Sequence, residues 1–295
     1  MKIINKIQYL TLQVILQATK ILPKELLYKI FILFGKIHYF IDKNRKNITL
    51  QNLSIVFPNK NNTFKKKLSK SVYRHFSLMI VDLILIVTKR LNNEELRKLT
   101  DIYGIEHLQN AINSNRGILV ITGHFGCWEL IPRILSIICD KKINVIARKS
   151  KNIVFENLFI KKLRENTNVD VVFKDNSLIS FVRGFKNKEI NGILIDQNQK
   201  NNQGTQVLFF KKEAFTTLTP ALLQIKYNPV CLPIFMIRSK NNKFKFVINK
   251  PIEVNYSLSD KNLIDLTLKH QKELEDIIIK HPEQWLWMHN RWNIK

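Results

Sequence analysis

Three cysteines in 295 residues, none in a CxxC pair, supply neither a disulfide framework nor a thiolate set for structural zinc. Cys127, Cys139 and Cys231 are odd in number and widely spaced, which suits a reducing compartment. The chain also lacks a clean apolar run of about 20 residues, so its 45% hydrophobic content belongs to a globular protein rather than a polytopic membrane protein. No small-residue cleavage site follows a compact apolar core, which argues against a cleavable signal peptide. Internal repeats, a collagenous period and a long disordered tail are all missing. Acid is scarce. Twenty-three Asp plus Glu face 48 Lys plus Arg, a formal +25. A surface of that sign attracts anionic lipid, nucleic acid or an acidic protein partner. Lys, Asn and Ile are used heavily throughout, as in an AT-rich coding sequence, so the sign of the charge informs more than its size.

A chain of this length can bury a full core, and it reads as one domain, residues 42–295, with an N-terminal appendage, residues 1–41. Residues 3–22 are largely apolar but carry Lys6, Gln8, Gln13, Gln17 and Lys20. Pro23, Lys24 and Glu25 interrupt before a second apolar stretch from Leu26 to Ile41. This pattern predicts one or two amphipathic, membrane-associating helices in a bilayer interface, or a marginal single span. The alternative is a helical hairpin packed on the protein's own core. The next segment, 43–75, is basic, with Arg45, Lys46, Lys60, Lys65, Lys66, Lys67, Lys70 and Arg74. By default that is a solvated face; beside an amphipathic N-terminus it also reads as a band resting on anionic headgroups. Aromatic residues are not interleaved as on a base-stacking platform, so nucleic acid is the weaker partner.

From residue 118 onward, strand and helix signals alternate. Strands are expected at 118–121, 143–147, 169–173, 189–195, 206–210, 230–237 and 243–248. Helices are expected at 76–90, 128–138, 155–167, 178–186, 217–227 and 260–280. Strands separated by helices of this length imply an α/β fold, a mostly parallel mixed sheet covered by helices on both faces.

The run Gly117-Ile-Leu-Val-Ile-Thr-Gly-His-Phe-Gly-Cys-Trp-Glu129 concentrates the chemistry. Its apolar strand ends in His124, where ligands bind in such folds. Gly123 and Gly126 let the backbone turn sharply out of the sheet. Glu129, five residues on, can fold back from the helix start to hold one imidazole nitrogen, making His124 a general base with no serine or cysteine nucleophile between them. A His-x4-Glu spacing also arises by chance, and Cys127 beside it reads by default as an inert buried thiol. The spacing is not that of a zinc site. Asp196 ends the strand Gly192-Ile-Leu-Ile-Asp-Gln197, as a site residue or a helix cap, and an irregular polar loop, 197–204, follows. Arg148 ends another strand signal and Arg164 lies on the next helix; arginine suits bidentate phosphate binding, though surface ion pairing is its commoner use.

Gly-His-Phe-Gly-Cys-Trp-Glu resembles the glycine-histidine-x-glycine-asparagine-tryptophan-glutamate signature of bacterial lipid A late acyltransferases, the lauroyl and myristoyl transferase family, with Cys127 where asparagine is usual. The resemblance continues through Asn52-Leu-Ser-Ile-Val-Phe-Pro58, Arg148, Arg164, Ile195-Asp-Gln197, Gly204, Val207-Leu-Phe-Phe210 and Thr216 or Thr217, and closes with Pro282-Glu-Gln-Trp-Leu-Trp-Met-His-Asn-Arg-Trp292. It covers nearly the whole chain and implies a glycerolipid acyltransferase-like fold. It implies transfer of a fatty acyl chain from acyl carrier protein, or acyl-CoA, to a hydroxyl of a lipid A precursor in lipopolysaccharide biosynthesis. The place implied is the cytoplasmic face of the cell inner membrane. His124 would be the base, oriented by Glu129, with backbone N–H groups near Gly126 receiving the oxyanion. Arg148 and Arg164 would meet phosphates, and Asp196 with Gln197 would line the site, Asp196 also supporting the base. No metal, cofactor or acyl-enzyme is implied. Two rivals stay open: an acyltransferase for a lysophospholipid or glycolipid, and a non-catalytic basic protein that binds membranes or nucleic acid.

Overall fold

Ile118–Thr122 form a strand, β2, with every position buried, which only a sheet covered on both faces allows. The computed structural model describes residues 3–147, 152, 156–165, 167–173, 177–199, 204–255 and 257–294. Five helices precede the sheet: α1 (Ile3–Ile21), α2 (Lys24–Ile41), α3 (Lys43–Val56), α4 (Asn62–Val87) and α5 (Asn93–Lys98). There follow β1 (Thr100–Tyr103), α6 (Ile105–Asn113), β2, α7 (Ile131–Ile138), β3 (Ile143–Ala147), the single turn α8 (Lys161–Leu163) and β4 (Val169–Phe173). Next come α9 (Ser177–Lys186), β5 (Ile190–Leu194), β6 (Thr205–Phe209), β7 (Lys212–Thr216), α10 (Thr219–Tyr227), β8 (Val230–Arg238), β9 (Phe244–Ile248) and α11 (Asp260–Lys280).

Among the described residues the main sheet has seven strands in the order β1-β9-β8-β2-β5-β3-β4. All neighbours are parallel except β8 and β9, which pair antiparallel. The expected mostly parallel, helix-covered α/β architecture is therefore present. Several details differ. The segment expected as a strand at 206–210 lies outside the main sheet, where β6 pairs antiparallel with β7. Phe210 and Lys211 between them both take left-handed φ, 51° and 60°, the two-residue turn whose twist suits a hairpin. β1 was not anticipated, because its four residues, Thr-Asp-Ile-Tyr, alternate as an edge strand rather than running apolar. The helix expected at 155–167 is a π-helical turn, Glu156–Ile160, running into α8.

The basic stretch 43–75 is helical in α3 and the first half of α4, with a break at 57–61. Asp42 accepts from Arg45 N–H at 2.9 Å to start α3, and Asn61 accepts from Phe64 N–H at 2.9 Å to start α4. α2 joins the core through Leu27, Tyr28, Gly35 and Tyr39. Gly35 permits close contact with α4, since a Cβ there would strike Ser77 Oγ and lie 3.1 Å from Tyr73 O. The other side of α2 shows Leu33, Phe34, Ile37, Phe40 and Ile41 to solvent, and α1 shows Leu10, Val14, Ile15 and Ile21. Among the described residues no helix is long and apolar enough to cross a membrane, so the expectation of a marginal span is not met. α2 is amphipathic and half docked.

α2, α4, β8 and the Cys127 turn meet at one buried polar cluster. Arg238 Nη2 lies 3.2 Å from Asp82 Oδ1, both nearly inaccessible. Tyr28 Oη donates to the same oxygen at 2.7 Å, and Cys127 Sγ approaches Asp82 Oδ2 at 3.8 Å. Burial pushes the Asp82 carboxyl up to about 6 despite the guanidinium beside it. It also pushes the Cys127 thiol up, leaving that sulfur inert. Removing one partner of such a pair strands the other charge. Asp82→Ala should therefore cost about 3–5 kcal/mol, read as a lowered midpoint in urea denaturation, whereas Lys98→Ala, breaking an exposed pair with Glu94, should change it little.

Candidate active site

Register brings His124 and Asp196 together. β2 and β5 are parallel neighbours with Thr122 opposite Leu194, so the residue two positions past each strand emerges at the same end of the sheet. His124 Nδ1 lies 2.8 Å from Asp196 Oδ1, and His124 backbone N–H donates to Oδ2 at 2.9 Å. Trp285 Nε1–H gives Oδ2 a further bond at 2.8 Å. The carboxylate is 2% exposed, so only these donors replace the water it has lost. Burial opposes its ionisation, but the His124 charge and the three bonds outweigh burial and hold the carboxyl well below the usual range. For His124, burial lowers and Asp196 raises; Asp196 prevails, with a smaller push from Glu129, and the imidazole is held above its ordinary value.

The turn after His124 is fixed from behind. Gly126 has φ +60°, and a Cβ there would collide with the Met236 carbonyl, so glycine is required. Its N–H donates to Gln284 O at 2.8 Å, and Cys127 N–H to Met236 O at 2.8 Å. These bonds narrow one expectation: the Gly126 and Cys127 N–H groups are committed, so neither of the two receives an oxyanion. Gly123 serves close packing, its missing Cβ leaving room for Leu274 at 2.8 Å and the Asp196 carboxyl at 3.3 Å.

Glu129 requires a second correction. It does not hold an imidazole nitrogen. The chain leaves the turn through a 3-10 segment, Trp128–Leu130, and the Trp128 ring stands 5.2 Å from the imidazole, edge to face. Trp128 Nε1–H donates to Glu129 Oε1 at 3.2 Å, leaving Glu129 beside His124 only through its field. The orienting carboxylate is Asp196, which the sequence placed at the site as a lining and supporting residue.

Glu129, Trp128 and Thr122 line a cavity of about 100 Å³ that runs under α7 among Val120, Ile143, Val145, Leu163 and Ile193. The walls are mainly apolar, and Thr122 Oγ1 is buried with no hydrogen-bond partner among the described residues. Arg164 reaches the same cavity; among the described residues it forms no ion pair and leans on Ile160 O at 3.4 Å. Arg133 carries that turn, donating to the carbonyls of Leu163 at 2.6 Å and Glu165 at 2.9 Å. Arg148 lies outside the described residues. Gln197 is at the site, its amide nitrogen 3.2 Å from His124 Nε2.

Sequence reasoning missed two participants. Trp285 and His289 belong to the closing segment, which was singled out for its resemblance without roles being given to its residues. Trp285 forms an antiparallel bridge with Phe125, and Leu286 N–H donates to His124 O at 3.0 Å. His289 Nε2 accepts from Asn198 N–H at 3.0 Å. Asn52 ties α3 to the same segment through Trp287 O and His289 O, both at 2.8 Å. Arg291 donates to Phe215 O at 2.7 Å and to Thr216 Oγ1 at 2.6 Å. A run dense in Trp, His and Arg is the signal that could have drawn attention to these positions. Among the described residues no cluster of His, Cys, Asp and Glu could hold a metal ion.

The sequence profile of the bacterial lipid A biosynthesis acyltransferases matches residues 4–294. A lipid A biosynthesis lauroyltransferase from Escherichia coli K12 is 23% identical over 276 residues, 93% of this chain and 87% of the relative. A lipid A biosynthesis palmitoleoyltransferase from the same strain is 24% identical over 256 residues, 86% of this chain and 80% of the relative. Among solved structures, the 1-acyl-sn-glycerophosphate acyltransferase PlsC of Thermotoga maritima covers 84% of this chain and 94% of its own, at 17% identity and a TM-score of 0.37.

The bond from Trp285 to a buried carboxylate makes a measurable prediction. Trp285→Phe keeps most of the ring packing but removes the donor to Oδ2, and a hydrogen bond to a charged group is worth about 1.5–3 kcal/mol. Stability in urea at neutral pH should fall by that order, and the loss should shrink as the pH falls low enough to protonate Asp196.

Proposed function

Because the chain belongs to the bacterial lipid A biosynthesis acyltransferase family, and is thus an acyltransferase of that pathway, we propose that His124, oriented by Asp196, is its general base. The observation that carries this reading is the 2.8 Å bond from Nδ1 to Asp196, which directs the Nδ1 hydrogen at the carboxylate and leaves Nε2 as the nitrogen with a lone pair, met by the Gln197 amide 3.2 Å away. The acceptor hydroxyl of the lipid A precursor gives its proton to Nε2 while its oxygen attacks the thioester carbonyl carbon. The C–S bond breaks as the tetrahedral intermediate collapses, and the proton passes on to the thiolate. Asp196 fixes the tautomer and stabilises the imidazolium that forms. Glu129 adds negative field and faces the acyl group at the cavity mouth. Thr122 Oγ1, an unspent donor in the cavity wall, is suited to the thioester oxygen.

The cavity takes the start of the acyl chain. By comparison with a 150 Å³ cavity that holds benzene, about 100 Å³ accommodates roughly four carbons, so a fatty chain parts the walls further in. Arg164 at its edge, with Arg148, meets phosphate. The donor is carried by acyl carrier protein or CoA, and the excess of basic residues draws an acidic carrier as it draws an anionic membrane. The exposed apolar sides of α1 and α2 seat the enzyme at the cytoplasmic face of the inner membrane, with residues 1–41 as its membrane-associating segment and 42–295 as the acyltransferase domain.

Two experiments test these proposals. His124→Ala should lower kcat by about 10²–10⁴-fold, and Asp196→Asn by a comparable factor, with the double variant little worse than the poorer single one. The base works unprotonated and its pKa is raised, so activity should fall with acid on a limb centred above the ordinary imidazole value of 6.5. Glu129→Gln should move that limb slightly down, since a smaller negative charge acts on the ring. Full turnover by purified His124→Ala would sink the mechanism. For the membrane, Phe34→Glu with Phe40→Glu should release the protein from anionic vesicles in a flotation assay while the melting temperature stays put, because both rings are exposed. Unchanged flotation would exclude α2 as the docking face.

A further inference from the structure

The place where an acceptor hydroxyl must stand is filled by the protein itself. With Nδ1–H directed at Asp196 Oδ1, Nε2 of His124 carries a lone pair, and the Gln197 side-chain amide lies 3.2 Å from it. Only an N–H satisfies that lone pair, so the amide nitrogen donates and its carbonyl oxygen points elsewhere. A substrate O–H giving up its proton needs that same position, within about 2.6–3.2 Å of Nε2.

The backbone around Gln197 is held while its side chain is not. Asp196 before it is gripped by His124 and Trp285. Asn198 N–H donates to His289 Nε2 at 3.0 Å, and Gln199 N–H to Phe215 O at 3.1 Å. The side chain is half-buried, and its bond to the ring is neutral and long. It can swing aside by rotation about its own torsions with no movement of the loop.

We propose that Gln197 is a specificity-determining latch on the base, closed against water and opened by the acceptor; this rests on His124 being the base. Nothing in an imidazole distinguishes a sugar hydroxyl from water, since both offer an O–H. With only the thioester bound, a water at Nε2 would lose its proton to the ring and bond through oxygen to the carbonyl carbon. The C–S bond would break, the thiolate would collect the proton, and a free fatty acid and a thiol would leave. Gln197 occupies the position that water needs. Water brings no other contacts to offset displacing the amide, whereas a phosphorylated lipid brings binding energy from the rest of its structure.

The test separates hydrolysis from transfer. Full-length enzyme is given a fatty acyl thioester of acyl carrier protein, with and without a lipid A precursor in mixed micelles. Thiol release and acylated lipid are measured separately. In Gln197→Ala, thiol release without acceptor should rise about tenfold or more, the order expected when one hydrogen bond's hold on a site is removed. KM for the acceptor should hold or fall. Gln197→Asn, one carbon too short to reach the ring, should behave in the same way and provides a second variant should the first fold poorly. Adding His124→Ala to either should abolish the extra hydrolysis. If acceptor-free hydrolysis changes less than twofold while the acceptor KM rises, Gln197 is a substrate contact and the latch is wrong. If the extra hydrolysis survives loss of His124, the latch is also wrong. The base itself is judged separately, by transfer in His124→Ala with Gln197 intact, so a failure of the latch is distinguishable from a failure of the base.

Discussion

A single buried carboxylate holds the site together. Asp196 receives hydrogens from the backbone and ring of His124 and from the indole of Trp285, three donors from parts of the chain 72 and 89 residues away. An ionised carboxylate without water is tolerable only when so well supplied. The requirement runs in both directions. The donors stabilise the charge, and the charge fixes the tautomer of the histidine, the direction of the turn and the seat of the closing segment. Changes at any of the three should be felt by the other two, and their effects should not add.

The rest of the fold supplies that carboxylate with a dry, rigid setting. β2 and β5 are parallel neighbours in a sheet covered on both faces, so their ends are aligned by ladder hydrogen bonds rather than by loop conformation. Behind the turn, the Asp82–Arg238 pair fills the space between α4 and β8, and the Gly126 and Cys127 amides are tied to Gln284 and Met236. Beside it, the apolar cavity under α7 is lined by Thr122, Trp128 and Glu129, residues on either side of the histidine turn. A rigid backing with a cavity alongside is the arrangement that keeps a polar side chain positioned.

Much of this was legible in the residues. Largely apolar segments located β2, β3, β4, β5, β8 and β9, fully apolar and buried in β2 and interrupted by Asn, Asp or Lys in β3, β4, β5 and β9, and the glycines around His124 announced a turn at a strand end. Asp196 was found by the same rule. What periodicity could not supply was direction. Glu129 lies five positions after His124, a spacing that a regular helix start could fold back, but a 3-10 turn leaves Glu129 in the cavity wall with its carboxylate bonded to the Trp128 indole. The pairing of His124 with Asp196 depends on strand order, which no local pattern encodes. β6 misled for a related reason: alternating apolar residues identify a strand without naming its partner, and β7 opposite it, Lys-Glu-Ala-Phe-Thr, shows only Ala and the last Thr buried. α3 escaped because its polar sequence, Lys-Asn-Arg-Lys-Asn, presents little apolar stripe.

The bridge between Phe125 and Trp285 carries a consequence for biogenesis. Translation delivers α1 and α2, with their outward apolar rows, long before it delivers the indole that Asp196 waits for. A nascent chain thus carries its outward apolar rows and its histidine before the donor that settles Asp196 exists, and the pairing can be completed only once the tryptophans of the closing segment have been made. A chain stopped at residue 280 would keep His124 and Asp196 but lose Trp285 and His289, and with them the indole that settles the carboxylate.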